Sequence, residues 1–305
     1  MKHSLFEKRK IFDSQRDPKR TAWGWALPIL SIVFLFIGQL ITVVPVFETG
    51  LIPEDDIEKY PYIIYMLFAP FSAIIFLIVL WVRFFEGRDL ASSGIVFVKN
   101  SLRDYGIGYV YGLFMALIIV LSIWGLGGYG LESKDAFLIA DSIPLLILLI
   151  GFAVQSGAEE YLFRGWLFSR LAERYNVFTG IALNAAIFTL MHLPGIDFTN
   201  TPMVILFISM TTLFSLFLSF MVIRQKSIWG AAAWHAAWNW FFINGFGLAT
   251  TGIELDLNPL LFDLKAIDGA PLWLSGGYQG PEGSVLTVIV LLIGCLLIAR
   301  KKIFK

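Results

Sequence analysis

Long apolar runs separated by short polar stretches dominate the hydrophobic pattern of the chain. A helix that crosses a membrane needs about 20 mostly apolar residues, and eight stretches approach or exceed that length. The pattern therefore predicts an all-α polytopic membrane protein with about eight transmembrane helices, the fourth continuing to about residue 174. The predicted spans are 23–46, 61–82, 106–127, 142–168, 177–193, 203–223, 227–249 and 284–299.

Lys and Arg residues fall unequally on the two sides of this predicted topology. Of the 23, nineteen lie in the tails and loops of one side, which we call the basic side, three lie on the other, and Arg164 lies within the fourth span. Because cytoplasmic loops carry the excess of Lys and Arg, both termini are predicted to be cytoplasmic. Arg88, on the basic side, is interpreted as facing solvent or lipid headgroups.

The opposite side, which we call the acidic side, carries the loops 47–60 and 250–283, both rich in Asp and Glu. The loop 250–283 is interpreted as a solvated connector, with a lid over a site as the alternative. The chain is accordingly divided into three parts. These are a tail with three helices (1–141), a catalytic-like helical core (142–249), and an extracytoplasmic loop with the last helix (250–305).

The composition agrees with a membrane protein and excludes several other classes. The 305 residues are 57% hydrophobic and 15% charged, whereas a soluble domain carries about 25% charged residues. The formal net charge of zero argues against a nucleic-acid partner, which requires a basic surface. Cys295 is the only cysteine, so the chain makes no internal disulfide. The expected surroundings are membrane lipid.

Two adjacent glutamates and an arginine lie within the fourth apolar segment. Such charges cost several kcal/mol in a bilayer, so they either pair with one another or serve a function. Residues four apart share a helix face, which pairs Glu160 with Arg164. Adjacent residues point about 100° apart, which leaves Glu159 facing elsewhere. Gly157 and Ala158 are expected to let a partner helix or a peptide approach closely.

Two of the three histidines lie in the fifth and seventh apolar segments. His192 follows Phe188 by four residues and Asn239 follows His235 by four, so each pair shares a helix face. With Glu159 they supply what peptide hydrolysis requires: a carboxylate or imidazole that takes a proton from water, and a neutral amide that holds the oxyanion.

The depths of the two histidines are harder to reconcile. His235 lies about nine residues after Lys226, or roughly 14 Å of helix, whereas His192 lies about eighteen residues after Arg174, or roughly 27 Å. Helix tilt and a re-entrant start of the short fifth segment are the expected ways to bring the two rings level.

The three motifs together resemble the CPBP intramembrane protease family. They read EExxxR from Glu159, FxxxH from Phe188 and HxxxN from His235, in that order on three apolar segments. That family groups the type II CAAX prenyl proteases with bacterial bacteriocin-processing and abortive-infection-like proteins. The resemblance covers roughly 145–245.

The resemblance implies an intramembrane endopeptidase that cleaves a membrane-associated peptide, either a prenylated CAAX protein or a leader-type peptide. It implies that Glu159 activates a water with help from His192, and that His235 and Asn239 stabilise the oxyanion. The implied supporting residues are Glu160, Arg164 and Phe188.

Whether the site uses a metal cofactor stays open at this point, because the family is classed with the metalloproteases. Glu159, His192 and His235 could supply three ligands to a Zn²⁺ and leave one position for water. Without a metal, a Glu–His pair polarises the water directly. The chain contains no HExxH motif, which would place two ligands and a base on one helix, and the metal-independent mechanism is favoured.

Two other functions stay open. A rhomboid-like serine protease would use Ser156 and a histidine, but no GxSxG surrounds this serine and Glu159 would have no role. A non-catalytic transporter, immunity protein or scaffold could also bury Glu, Arg and His, for instance as a proton relay. Short loops favour a location in the bacterial cytoplasmic membrane.

Overall fold

The computed structural model describes residues 5–56, 58–97, 100–132, 137–194 and 196–300. Part of the predicted orientation rests on Lys2, Lys134 and the C-terminal lysines, which lie outside these ranges, and the three-part division also stays a prediction. The described chain is mostly helical, as predicted. Its helices are α1 (Ala26–Glu48), α2 (Tyr62–Leu80), α3 (Ser101–Gly125), α4 (Ser142–Glu160), α5 (Phe168–Arg174), α6 (Val177–Met191), α7 (Thr201–Gln225), α8 (Trp229–Trp240), α9 (Leu272–Ser275) and α10 (Val285–Arg300).

Six helical stretches in the described ranges are long and apolar enough to span a membrane, which makes the chain an integral membrane protein. They are Ala26–Glu48, Tyr62–Phe85, Ser101–Gly125, Ile139–Arg174, Thr201–Gln225 and Gly277–Arg300. The other two predicted spans are shorter, since α6 has 15 residues and α8 has 12 before a π-helical turn, Phe241–Gly245. The total of eight stays a prediction.

The fourth predicted helix continues to Arg174, as expected, but it does so through a π-helical stretch, Tyr161–Leu167. A π-helical stretch changes the direction in which later side chains point, and such stretches are frequent at functional sites. This one begins directly after Glu160.

Glycines bring α3 against the central helix α8. A Cβ atom on Gly108 would collide with the backbone of Gly230, and one on Gly112 would collide with the backbone of Trp234. Small residues spaced four apart allow this close packing of membrane helices. No neighbouring helix packs at Gly157, where no described atom outside its own helix lies within 4 Å of the Cβ position, and the expected approach of a peptide stays a prediction.

The N-terminal segment covers the start of α8 on the basic side. Ile11 and Phe12 are each only 1% exposed. The Lys226 ammonium donates a hydrogen bond to the Ile11 carbonyl (2.9 Å), and the Ile228 amide donates to the Gly94 carbonyl (3.1 Å). Helix α8 therefore starts inside the protein rather than at its surface.

The interpretation of Arg88 as a solvated charge was wrong. Its side chain is 3% exposed and donates two hydrogen bonds, of 3.0 and 2.7 Å, to the carboxylate of Glu173. Beside it, buried Glu86 accepts from the guanidinium of Arg170 and from the indole of Trp166. These ion pairs fasten the loop after α2 to the end of the long fourth helix.

The loop 250–283 is not simply a solvated connector, which corrects the sequence interpretation. Its strand β2 (Leu264–Ala266) pairs antiparallel with β1 (Tyr129–Leu131), which follows α3. Residues 279–283, within a 3₁₀ segment, are all buried. The loop folds back because its groups find partners elsewhere in the chain, as when the Tyr129 hydroxyl of β1 donates to the Ser275 carbonyl (2.6 Å).

Candidate active site

The predicted ion pair on the fourth helix is present and fully buried. A Glu160 carboxylate oxygen (Oε1) accepts a hydrogen bond from Arg164 Nη1 at 2.9 Å, and both side chains are 0% exposed. The same oxygen also accepts from His235 Nδ1 at 2.9 Å. Helix α8 is thus tied to α4 through Glu160, a contact between motifs that helical spacing alone did not reveal.

Each histidine has one ring nitrogen fixed by an oxygen. His192 Nδ1 lies 2.8 Å from the carbonyl oxygen of Phe188, and His235 Nδ1 lies against the Glu160 carboxylate. Carbonyl and carboxylate oxygens only accept hydrogen bonds, so the network assigns the hydrogen to Nδ1 in both rings. Nε2 is then the nitrogen of each ring that is available to a ligand.

Gln155 links Glu159 to Asn239, and the sequence analysis missed it. Its amide nitrogen donates to Oε1 of Glu159, and its carbonyl oxygen accepts from Asn239 Nδ2 at 3.2 Å. Oε2 of Glu159 has no hydrogen-bond partner among the described residues. Gln155 precedes Glu159 by one helical turn, which was the only local signal for this role.

Phe188 contacts both the ring of His192 and the guanidinium of Arg164. The ring centroids of Phe188 and His192 lie 4.2 Å apart, and the Arg164 guanidinium lies 4.2 Å from the Phe188 centroid. A guanidinium within about 6 Å of an aromatic centroid is attracted to the ring. The three predicted supporting residues, Glu160, Arg164 and Phe188, therefore form one contact chain between His235 and His192.

A cavity of about 600 Å³ brings the four predicted catalytic residues together. Glu159, His192, His235 and Asn239 all line it, along with mostly apolar side chains of α1, α2, α4, α7 and α8. Ser156 is fully buried and donates to Gln155, and it does not belong to this lining.

The covered start of α8 removes the basis of the depth comparison between the two histidines. Because that start lies beneath the N-terminal segment, the length of helix from Lys226 to His235 does not measure depth from the surface. His192 lies at the far end of α6, where it is the C-terminal capping residue. Both rings line one cavity, and the expected helix tilt and re-entrant start of the fifth segment stay predictions.

Residues of the loop 250–283 complete the cavity on the acidic side. Thr250, Thr251 and Ile253 line it as part of a tight turn. Glu282 also lines it, accepting from the Trp238 indole at 2.8 Å and from the Thr251 backbone and hydroxyl at 2.7 and 2.8 Å. No motif predicts these contacts, because they join residues more than thirty positions apart.

The zinc alternative requires Glu159, His192 and His235 to converge on one point. Among the described residues, no three His, Cys, Asp or Glu side chains are arranged to hold a metal ion. The Glu159 carboxylate is also engaged by Gln155 through one of its two oxygens. As placed, Glu159, His192 and His235 do not fit a zinc ion.

Comparison with known proteins shows that part of the chain matches a protein family. Residues 141–241 match the family model described as "Type II CAAX prenyl endopeptidase Rce1-like". The matched stretch contains all three motifs, from Glu159 to Asn239. No curated protein and no solved structure matches the chain. The match confirms the resemblance to the CPBP proteases over residues 141–241 of this membrane protein.

Proposed function

We propose that the protein is an intramembrane endopeptidase that hydrolyses a peptide bond of a membrane-associated peptide. The observation that carries the proposal is the single cavity lined by Glu159, His192, His235 and Asn239. The Rce1-like match supports a protease of the CAAX type in general. We place it in the bacterial cytoplasmic membrane, among lipids and membrane-bound peptides.

Glu159 is the proposed general base. Gln155 holds one carboxylate oxygen, which leaves Oε2 to take a proton from a water molecule. His192 shares this role, since its Nε2 accepts a hydrogen bond while Nδ1 is held by the Phe188 carbonyl. The water oxygen attacks the scissile carbonyl carbon, and Glu159 then passes the proton to the departing amine.

His235 and Asn239 are the proposed oxyanion donors. Asn239 has two amide hydrogens, and only one is used in its bond to Gln155. His235 donates from Nε2 when its ring is protonated, a form whose positive charge lies against the Glu160 carboxylate. Fixed donors of this kind stabilise the charge that develops on the carbonyl oxygen.

Asn239→Ala should lower kcat by about 10²–10³-fold, because removing one oxyanion donor has an effect of that size. KM should change little, since the interaction develops mainly in the transition state. The measurement is the initial rate of cleavage of single-span peptides by purified protein in liposomes. Asn100→Ala, at an exposed position on the basic side, is the control. An unchanged kcat in Asn239→Ala would remove this residue from the mechanism.

Ser156→Ala should lower the cleavage rate by less than about tenfold, whereas removal of a serine nucleophile lowers it on the order of 10⁶-fold. The reason is the position of Ser156, which is fully buried and outside the cavity lining. The same liposome assay measures it, and the thermal melt of the variant checks its folding. Loss of cleavage in a normally folded variant would favour the serine-protease alternative.

A further inference from the structure

Most of the cavity lining lies between the middle of the helices and the acidic side, and Glu159 on α4 lies near the middle of its span. On α1 its lining falls within residues 36–44, on α2 within 63–71, and on α7 within 207–214. Each range lies from the middle of its helix toward the acidic side. Glu58 and Thr251, from the two acidic-side loops, complete the lining.

Structured chain closes the opposite end. The N-terminal segment covers the start of α8 through Ile11 and Phe12, which are almost completely buried. The loop after α2 is fixed to the end of the fourth helix by Arg88 with Glu173 and by Arg170 with Glu86. No basic-side loop residue within the described ranges belongs to the cavity lining.

The charges of the loops indicate which side of the membrane each end of the cavity faces. Nineteen Lys and Arg residues lie on the side that is closed and three on the side where the cavity opens. A bias of this kind places the closed side in the cytoplasm. The lining residues Glu58 and Thr251, which we call the rim, are both exposed, so the cavity is accessible from the water on the acidic side. Phe36 and Leu40 on α1 are exposed as well, so the cavity is also accessible from the lipid beside α1.

We infer that the substrate reaches this site from the extracytoplasmic side. The substrate class is then a membrane-anchored peptide whose scissile segment lies on the extracytoplasmic side and carries apolar side chains that fill the cavity. A prenylated C-terminal tail presented from the cytoplasm does not fit this direction of entry. The substrate class rests on the proposed function, but the side of entry does not.

Thiol labelling tests the side of entry. In a Cys295→Ala background, Thr251→Cys and Glu58→Cys each put one cysteine at the rim, and Asn100→Cys puts one on the basic side. We expect a membrane-impermeant maleimide to label both rim variants in intact cells. Asn100→Cys should be labelled only in inverted membranes. Two rim variants are used so that the test still works if one of them does not fold.

Cleavage is measured on the same variants before and after modification with a bulky impermeant reagent. Modification of the rim in intact cells should block most cleavage, and modification of Asn100→Cys in inverted membranes should not. Rim labelling only in inverted membranes would overturn the inference even if cleavage persists, and the proposed function would stand. Outside labelling in protein that cleaves no peptide would support the side of entry and contradict the proposed function.

Discussion

Glu159→Gln should lower kcat by about 10²–10⁴-fold, the usual contribution of a positioned general base. Glutamine has nearly the same shape, and its carbonyl oxygen still accepts from Gln155, so the cavity keeps its form. The neutral amide cannot take a proton from water. The measurement is single-turnover cleavage by purified protein in liposomes, with the folded fraction checked by thermal melting.

Glu48→Gln is the matched control for this experiment, because it makes the same chemical change at an exposed position at the end of α1. Its rate should equal that of the wild type. If Glu159→Gln also cleaved at the wild-type rate, the carboxylate would have no part in the chemistry and the general-base assignment would be wrong.

Arg164→Met should destabilise the protein by about 3–5 kcal/mol, since it leaves a buried carboxylate without its charged partner. The effect is expected to be large because Glu160 and Arg164 are both 0% exposed. The double variant Glu160→Gln/Arg164→Met should be less destabilised than the sum of the two single variants, because it leaves no unpaired charge. Thermal unfolding in detergent micelles, followed by tryptophan fluorescence, measures all four proteins.

The exposed ion pair between Lys265 and Glu132 provides the control for buried charge. Lys265→Met should leave the melting temperature almost unchanged, since exposed pairs stabilise little. Additive effects of Glu160→Gln and Arg164→Met would show that the two residues do not act as a pair.

Local regularities of the chain predicted the helices and part of the site. Spans with uninterrupted apolar residues became the long helices, with ends that differ by a few residues from those expected. The four-residue spacing predicted the contact between Glu160 and Arg164 correctly. The same spacing placed Phe188 beside His192, whose rings are in contact.

Contacts between distant segments were not predictable from these regularities. Glu282 was counted as one acidic loop residue among several, yet it is buried against Trp238 and Thr251. The close helix packing at Gly108 and Gly112 was also not predicted, because it depends on the backbone of α8. In each case the contacting residue belongs to another helix or loop. The spacing of residues within one segment cannot indicate such a contact.

Product analysis tests the central claim, that this cavity hydrolyses a membrane-bound peptide, most directly. Purified protein in liposomes is incubated with single-span peptides in water enriched in ¹⁸O, and the masses of the products are measured by mass spectrometry. The account predicts two fragments whose masses sum to the peptide plus one water, with ¹⁸O in the new carboxyl terminus, and no such fragments with Glu159→Gln. Intact peptide after incubation with folded wild-type protein, or the same fragments from both proteins, would contradict it.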